Sequence, residues 1–403
     1  MATNSIINKL MKKLETNDIV LFKDNEQFNP NSAWCHTGSP ELDFNIGTFG
    51  FPVGLTEIAG KSRSGKTTLG LMGMKFFQKR YPEGISIILS SERRDNKSYA
   101  KKIGVDVDNV IIIKSWYVED LFYKLQIQLN NIKEVWASER LEGKPKVFIM
   151  WDSIGATLSR AEVETAEENV KIIQKNIEKG TNTDLKHAQM AAFAKNSKQL
   201  IKSLIGQLYD NEMIMVGINH TGVDFQTGNR KSFGGEWVEY LPCLRLETSI
   251  IEHIKLSDKD GKKDIEVEVG QKTKVKIVKN DFGSRKPTII EIMLGYGVVL
   301  SQNDIDFALE HDILEQEGAK KISFMNDKLK WSTKREFYQN YIDENKCLPL
   351  LHKKIMELRH KMVLESKNID EDFEQEDDED NVQESKQIVK PKVVLKKKLI
   401  PRK

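Results

Sequence analysis

Gly60-Lys61-Ser62-Arg63-Ser64-Gly65-Lys66-Thr67 has the spacing G-x-x-x-x-G-K-[ST] of a loop that cradles phosphate. Its glycines let the backbone turn so that successive N–H groups face phosphate oxygens. In such a loop the Lys66 ammonium reaches the β- and γ-phosphates, and the Thr67 hydroxyl ligates Mg²⁺. The flanks agree with this. Leu55-Thr-Glu-Ile-Ala59 is a short apolar strand, and Lys66 to Arg80 reads as a helix whose N-terminal dipole favours an anion. The run from Gly60 through Thr67, with the adjoining Thr68, is the expected nucleoside triphosphate site.

Bulk properties narrow the class. The chain has 403 residues, enough for two or three domains with a large core. At 39% hydrophobic and 30% charged it reads as globular, and no apolar run approaches the roughly 20 residues of a membrane span. The start, Met1-Ala-Thr-Asn-Ser-Ile-Ile-Asn-Lys, lacks a signal-peptide core. Cys35, Cys243 and Cys347 have no metal-ligand spacing and read as reduced thiols of a cytoplasmic protein. The histidines form no H-x-x-H cluster, which argues against zinc. A net charge of +2 decides nothing about nucleic acid. Its distribution says more: Asp370 to Glu384 is acidic, Lys386 to Lys403 is basic, and such opposed low-complexity blocks read as disordered.

Between these ends, strand and helix patterns alternate. Strands are expected at Ile85–Leu89, Val110–Ile113, Val147–Trp151 and Met213–Ile218. Helices are expected at Asp95–Ile103, Glu119–Ile132 and Met190–Tyr209. That order predicts an α/β fold with a mostly parallel sheet covered on both faces. Closer-spaced strands at Leu244–Thr248, Lys274–Val278 and Thr288–Met293 suggest an antiparallel extension. From Asp304 the pattern turns helical with short strands. The expected organisation is an N-terminal arm over 1–33, a core over 34–300, a small α/β C-terminal domain over 301–365 and a tail over 366–403.

Two strand ends supply carboxylates. Val147-Phe-Ile-Met-Trp-Asp152 ends in an acid suited to the Mg²⁺ shell beside Thr67; the other reading of Asp152 is a helix N-cap. Ile85-Ser-Ile-Ile-Leu-Ser-Ser-Glu92 ends in one that either activates an attacking water or is an exposed strand-end side chain.

With these residues in place, the chain resembles the bacterial and phage RecA recombinases. His36-Thr-Gly-Ser-Pro-Glu-Leu-Asp43, Gly50-Phe-Pro-Val-Gly54 and Glu57-Ile-Ala-Gly60 are similar to that family's lead-in to the phosphate loop. Tyr99-Ala-Lys-Lys-Ile-Gly-Val-Asp-Val-Asp108, Ile218-Asn219-His220, Phe233-Gly234-Gly235 and Lys274-Val-Lys-Ile-Val-Lys279 resemble later family segments. So does Leu294-Gly-Tyr-Gly297 with Asp306-Phe-Ala-Leu309. The resemblance runs from about residue 35 to 345.

It implies ATP as cofactor with Mg²⁺. It places Glu92 as the water-activating carboxylate, Tyr99 as the ring stacked on adenine, and His220 as the sensor of the γ-phosphate. Lys279 is implied to reach a neighbouring protomer's γ-phosphate, where a cation in trans stabilises transition-state charge. The family carries a second lysine where this chain has Asp281, so either Lys279 acts alone or Arg285 or Lys286 substitutes.

The resemblance also implies two DNA loops. The first falls between Ala161 and Lys186, longer here and rich in charge, and the helix after it carries Met190, Lys195 and Lys202 at the positions of a Met and two arginines. Lys195 and Lys202 share a helical face that either contacts phosphates or is simply solvated. The second loop is Thr221 to Gly235, where Arg230 and Lys231 suit phosphates, Phe225 suits base faces, and Phe233-Gly234-Gly235 closes the loop.

The implied activity is an ATP-dependent homologous recombinase. It would be a DNA-dependent ATPase that assembles into a helical filament on single-stranded DNA and exchanges strands with homologous duplex. A loading or single-strand-binding protein is a further expected partner; a membrane is not. The apolar face of Ile6, Ile7, Leu10 and Leu14 is read as a protomer-linking arm. Two other readings stand. A hexameric helicase on the same core calls for an added N-terminal helical domain. A regulatory paralogue that binds ATP and DNA without strand exchange is kept open by Asp281.

Overall fold

The structure is a computed structural model. It describes residues 32–92, 96–179, 192–223, 230–260, 263–299, 302–317, 321–324, 330–331 and 354. These lie in the first of two compact units, Met1–Ile355; the second is Met356–Lys403. The expected N-terminal arm and the acidic and basic tail lie outside the described residues.

The short strands β1 (Trp34–Cys35) and β2 (Phe51–Pro52) pair with each other and bracket helix α1 (Pro40–Ile46). Ser39 caps α1 by accepting from the Leu42 N–H at 3.4 Å, and Pro40 occupies a first-turn position that needs no donor. Next come β3 (Gly54–Gly60), α2 (Lys66–Arg80), β4 (Ile85–Ser90), α3 (Lys97–Ile103), β5 (Val110–Lys114) and α4 (Val118–Ser138). They are followed by β6 (Val147–Asp152), α5 (Arg160–Lys179), α6 (Ala192–Asp210), β7 (Ile214–Val223), β8 (Arg230–Ser232) and α7 (Trp237–Tyr240). The remainder comprises β9 (Leu244–Asp260), β10 (Lys263–Asn280), β11 (Thr288–Met293), β12 (Gly297–Val299), α8 (Gln302–Glu310), β13 (Leu314–Glu317), β14 (Lys321–Phe324) and β15 (Lys330–Trp331).

A ten-stranded sheet runs in the order β12-β11-β10-β9-β3-β7-β6-β4-β5, with β8 paired to β7. From β5 to β9 every neighbour is parallel, and β10, β11 and β12 add antiparallel strands. β13, β14 and β15 form a separate antiparallel sheet.

Strand period two divides the core between the faces. Val147, Ile149 and Trp151 of β6 pack with Leu121, Leu125 and Leu129 of α4 and with Leu204 and Leu208 of α6. Phe148 and Met150 point the other way, against Leu69, Met72 and Phe77 of α2. Each fully buried large apolar side chain is worth roughly 1.5–3 kcal/mol, so both layers hold the strand ends that form the site.

Three expectations are corrected. The segment Leu244–Thr248 runs parallel to β3, not antiparallel, pairing Thr56 with Leu244 through Gly60 with Thr248. β9 and β10 are also far longer than the apolar runs foretold, continuing beyond the sheet as a two-stranded ribbon. Finally, much of the stretch between Ala161 and Lys186, expected as a loop, is helix α5. A reciprocal cap starts it: Glu162 Oε2 accepts from the Ser159 N–H at 2.8 Å, and Ser159 Oγ accepts from the Glu162 N–H at 3.3 Å. Glu164, Glu167, Glu168 and Lys171 are exposed on it.

Candidate nucleotide and DNA site

β3 delivers the chain to the phosphate loop and α2 leaves it. Gly65 has φ +89°, a left-handed turn, and a Cβ there would lie 2.2 Å from Ile292 Cδ1 of β11. The left-handed φ strongly disfavours a side chain, and one there would also push Ile292 aside. The loop is tied to the strands beside it: Ser64 Oγ lies 2.7 Å from Thr248 Oγ1, and Gln271 Nε2 donates to the Arg63 carbonyl at 3.1 Å. A Cβ on Gly60 would press to 2.5 Å from the Thr248 carbonyl oxygen, which explains the glycine at the strand end.

Lys66 is buried, and its Nζ donates to the Lys61 carbonyl at 2.6 Å. Burial pushes its pKa down, while Asp152 and Glu92 pull it back up. Thr67 Oγ1 donates to Asp152 Oδ2 at 3.1 Å. Glu92 Oε1 accepts from Ser153 Oγ at 2.7 Å and lies 3.4 Å from His220 Nε2. Tyr99 is set on α3 by Asn96, whose Oδ1 accepts from the Tyr99 N–H at 2.9 Å. The Tyr99 hydroxyl lies 2.7 Å from Thr68 Oγ1, and burial raises its pKa.

These groups converge on one cavity of about 910 Å³, large enough for a nucleotide. Ser62, Arg63, Gly65, Lys66, Thr67 and Thr68 line it from the loop. Glu92 lines it from just past the end of β4, and Tyr99, Asp152 and His220 from α3, β6 and β7. Gly60, Lys61 and Ser64 shape the loop without lining the cavity. Among the described residues no group of three or more His, Cys, Asp or Glu side chains forms a metal cage. The Thr67–Asp152 pair suits Mg²⁺, which takes one or two protein ligands and completes its shell with phosphate oxygens and water.

Sequence reasoning missed one wall. Ile250 and His253 of β9, Glu268 and Gln271 of β10, and Leu294 after β11 also line the cavity. Only register could have placed them, because the ribbon carries bulges between Glu268 and Gly270 and between Lys272 and Thr273.

Lys279 is not brought to this cavity within the protomer. Its Nζ donates to the Tyr240 carbonyl at 2.8 Å and lies 3.7 Å from Asp281. Lys286 faces Glu41 at 3.8 Å.

Of the expected DNA contacts, Lys195 and Lys202 are exposed on α6 and Lys231 is exposed on β8. Phe233, 49% exposed, donates its N–H to the His220 carbonyl at 3.1 Å. Gly234 and Gly235 follow it with left-handed φ values of +112° and +84°. β7 and β8 pair Thr221 with Ser232 and Gly222 with Lys231, so the ends of the second loop form a hairpin rising directly from His220. Met190, Phe225 and the Arg230 side chain lie outside what is described.

A strand-loop-helix phosphate cradle at the carboxyl ends of a mostly parallel sheet, faced by acids on two neighbouring strands, defines an α/β protein of the P-loop class. Residues 1–299 match the family model for the RecA N-terminal domain, and the chain belongs to the RecA family. It is similar to Protein RecA of Lactobacillus acidophilus, 26% identical over 373 residues that cover 90% of each chain. It is similar to Protein RecA of Petrotoga mobilis, 26% identical over 331 residues, 80% of this chain and 78% of that one. Among the described residues no helix is long and apolar enough to cross a membrane.

Proposed function

We propose that this chain is an ATP-dependent homologous recombinase of the RecA type, acting in DNA recombination and repair. It binds ATP with Mg²⁺ and assembles into a helical filament on single-stranded DNA. The filament pairs its strand with homologous duplex, and hydrolysis releases it. Lys66 holds the β- and γ-phosphates, and Thr67 with Asp152 holds Mg²⁺, which supplies Lewis-acid charge neutralisation when bound. Glu92 takes the proton of the attacking water, held in place by Ser153. His220 stands beside Glu92 and reads the γ-phosphate, and Lys279 acts across a protomer boundary. Lys195, Lys202, Arg230 and Lys231 hold DNA phosphates, while Phe225 and Phe233 meet bases. Sequence specificity then comes from base pairing, because these contacts take phosphates and base faces. The arm over 1–33, the core over 34–300, the C-terminal domain over 301–365, the tail over 366–403 and a cytoplasmic location belong to the same proposal.

One observation carries the reading. In a RecA family chain, Glu92 and His220 lie 3.4 Å apart on the wall of the cavity that holds Lys66, and the DNA hairpin starts at the next residue, Thr221. The test combines ATP turnover with and without single-stranded DNA, electron microscopy of the complex and a strand-exchange assay. DNA-stimulated turnover, helical filaments and exchange are expected. Glu92→Gln should keep ATP binding and slow turnover by at least about 100-fold, the general-base range. Closed rings that unwind duplex would replace this reading with a helicase. DNA and ATP binding without exchange would replace it with a regulatory paralogue.

A further inference from the structure

The β9–β10 ribbon overhangs the phosphate loop because β9 runs parallel to β3 and continues past Gly60, where β3 ends. Its near end is fixed: Gln271 holds the Arg63 carbonyl, and Thr248 holds Ser64. His253 pairs in register with Gln271, so their side chains share the ribbon face toward the loop. On that face His253 Nδ1 lies 2.8 Å from Glu268 Oε1, and both residues line the cavity together with Lys66 and Tyr99.

The charge is the informative part. A carboxylate on the wall of a cavity built for a polyphosphate has the wrong sign to meet the phosphates. Asp152 and Glu92, whose charges act on Lys66, have the metal and the water to meet. Glu268 is not one of them, so what it accepts is a hydrogen-bond donor, and a nucleotide carries donors only on its nucleoside end: sugar hydroxyls and an exocyclic amine. A carboxylate accepting from a sugar hydroxyl is an established way for α/β proteins to hold a nucleotide. His253 holds one oxygen of Glu268, and both side chains are about half exposed, leaving acceptor capacity facing the cavity. Lys255 and Lys272, on the same ribbon, are engaged by Glu266 at 2.8 Å and Glu252 at 2.9 Å. The ribbon is thus cross-braced rather than loose.

We propose that the His253–Glu268 pair is a nucleoside-recognition element: Glu268, oriented by His253, accepts a hydrogen bond from an O–H or N–H donor of the bound nucleoside. This rests on the nucleotide reading of the cavity. Glu268 is the binding residue, and His253 is its positioning residue.

Calorimetric titration of the full chain with ATP, 2′-deoxy-ATP, 3′-deoxy-ATP and inosine triphosphate tests it. One of the three analogues should bind wild type about tenfold more weakly than ATP, the loss expected for a hydrogen bond to a charged group, and its identity names the donor. Glu268→Ala should weaken ATP by a similar factor and abolish discrimination against that analogue, while Glu268→Gln, which keeps an acceptor without the charge, should retain part of it. His253→Gln should reduce the discrimination, and His253→Asn, which keeps a donor in the Nδ1 position, should restore part of it. All four nucleotides binding within twofold of one another, or Glu268→Gln tightening all of them equally by removing repulsion, would overturn the proposal. Failure of the wild type to bind any of them would instead overturn the nucleotide reading itself, and Lys66→Ala serves as its separate control.

Discussion

The side-chain amide of Asn219 donates to the backbone carbonyl of Phe233 at 2.7 Å, joining the end of β7 to the far end of the β7–β8 hairpin. The same amide donates to Glu57 Oε1 at 2.8 Å, and its oxygen accepts from the His220 N–H at 2.9 Å. Glu57 is buried in β3, where burial raises its pKa and Arg245, 2.7 Å away, lowers it. One amide therefore spans the strand under the phosphate loop, the backbone of His220 and the closing residue of the hairpin. Asn219 thus links the His220 backbone to Phe233 alongside the direct bond from the Phe233 N–H to the His220 carbonyl.

Asn219→Ala should uncouple the two ends. Nucleotide affinity should stay within about threefold, while DNA stimulation of ATP turnover should fall by roughly 5- to 150-fold, the usual range of a coupling energy between sites. Turnover measured against DNA concentration checks it. Undiminished stimulation would mean that the hairpin answers to His220 alone.

Lys279 lies outside its own protomer's cavity, as a group acting in trans must. Lys279→Ala should leave nucleotide binding nearly intact and abolish DNA-stimulated turnover. Mixing it with Lys66→Ala protein should recover activity at hybrid boundaries, where one protomer supplies an intact loop and the other an intact lysine. Normal hydrolysis by Lys279→Ala would move the role to Arg285 or Lys286.

The phosphate loop was legible in the sequence because backbone geometry prescribes it. Gly65 sits at φ +89°, where a side chain is strained, and Lys66 and Thr67 follow at fixed spacing. Asp152 was legible because an apolar strand delivers it to Thr67. The ribbon wall was not. Residues 249–273 carry lysines and glutamates where a strand was sought by its apolar run, and cross-strand ion pairs such as Lys272 with Glu252 brace it instead of a core. Helix α5 was missed for a related reason: the cap Ser159–Glu162 announced it, but the charge of the following residues was read as a loop.

The junction of α1 and α8 holds a buried acid. Glu41 is buried, and its Oε2 has no hydrogen-bond partner. Burial raises its pKa to about 7, helped by Asp304, Glu310 and Asp306 and opposed by Lys286 at 3.8 Å. Asp304 cannot relieve it, since Asp304 Oδ1 already accepts from Ser39 Oγ at 2.7 Å and from the Glu41 N–H at 3.1 Å. The folded state favours the protonated carboxyl. That stability is fully present below the unfolded value of 4.5 and is lost as pH rises through about 7. Glu41→Gln should therefore leave urea stability nearly unchanged at pH 5 and raise it by roughly 1–3 kcal/mol at pH 8. A gain equal at both pH values would show that the carboxyl does not titrate in this range.

The exposed lysines make the last prediction. Lys202 is exposed on α6 and Lys231 on the hairpin strand β8, and under the proposed function each meets phosphate rather than a base edge. A phosphate contact acts through release of condensed counterions, so its removal has a signature that loss of a base contact lacks. Lys202→Ala and Lys231→Ala should each weaken single-stranded DNA binding by a similar factor on homopolymer and mixed sequences. Each should also reduce the slope of log affinity against log salt by about 0.7, the single-strand value per contact. Lysine-to-arginine variants should keep the slope, since the charge persists. Affinity measured from low to high salt checks this. A loss of affinity at constant slope would mean that the lysine shapes the hairpin or the helix face and touches no phosphate. A loss confined to one base composition would mean that it reads bases, contrary to the assignment of specificity to pairing between strands.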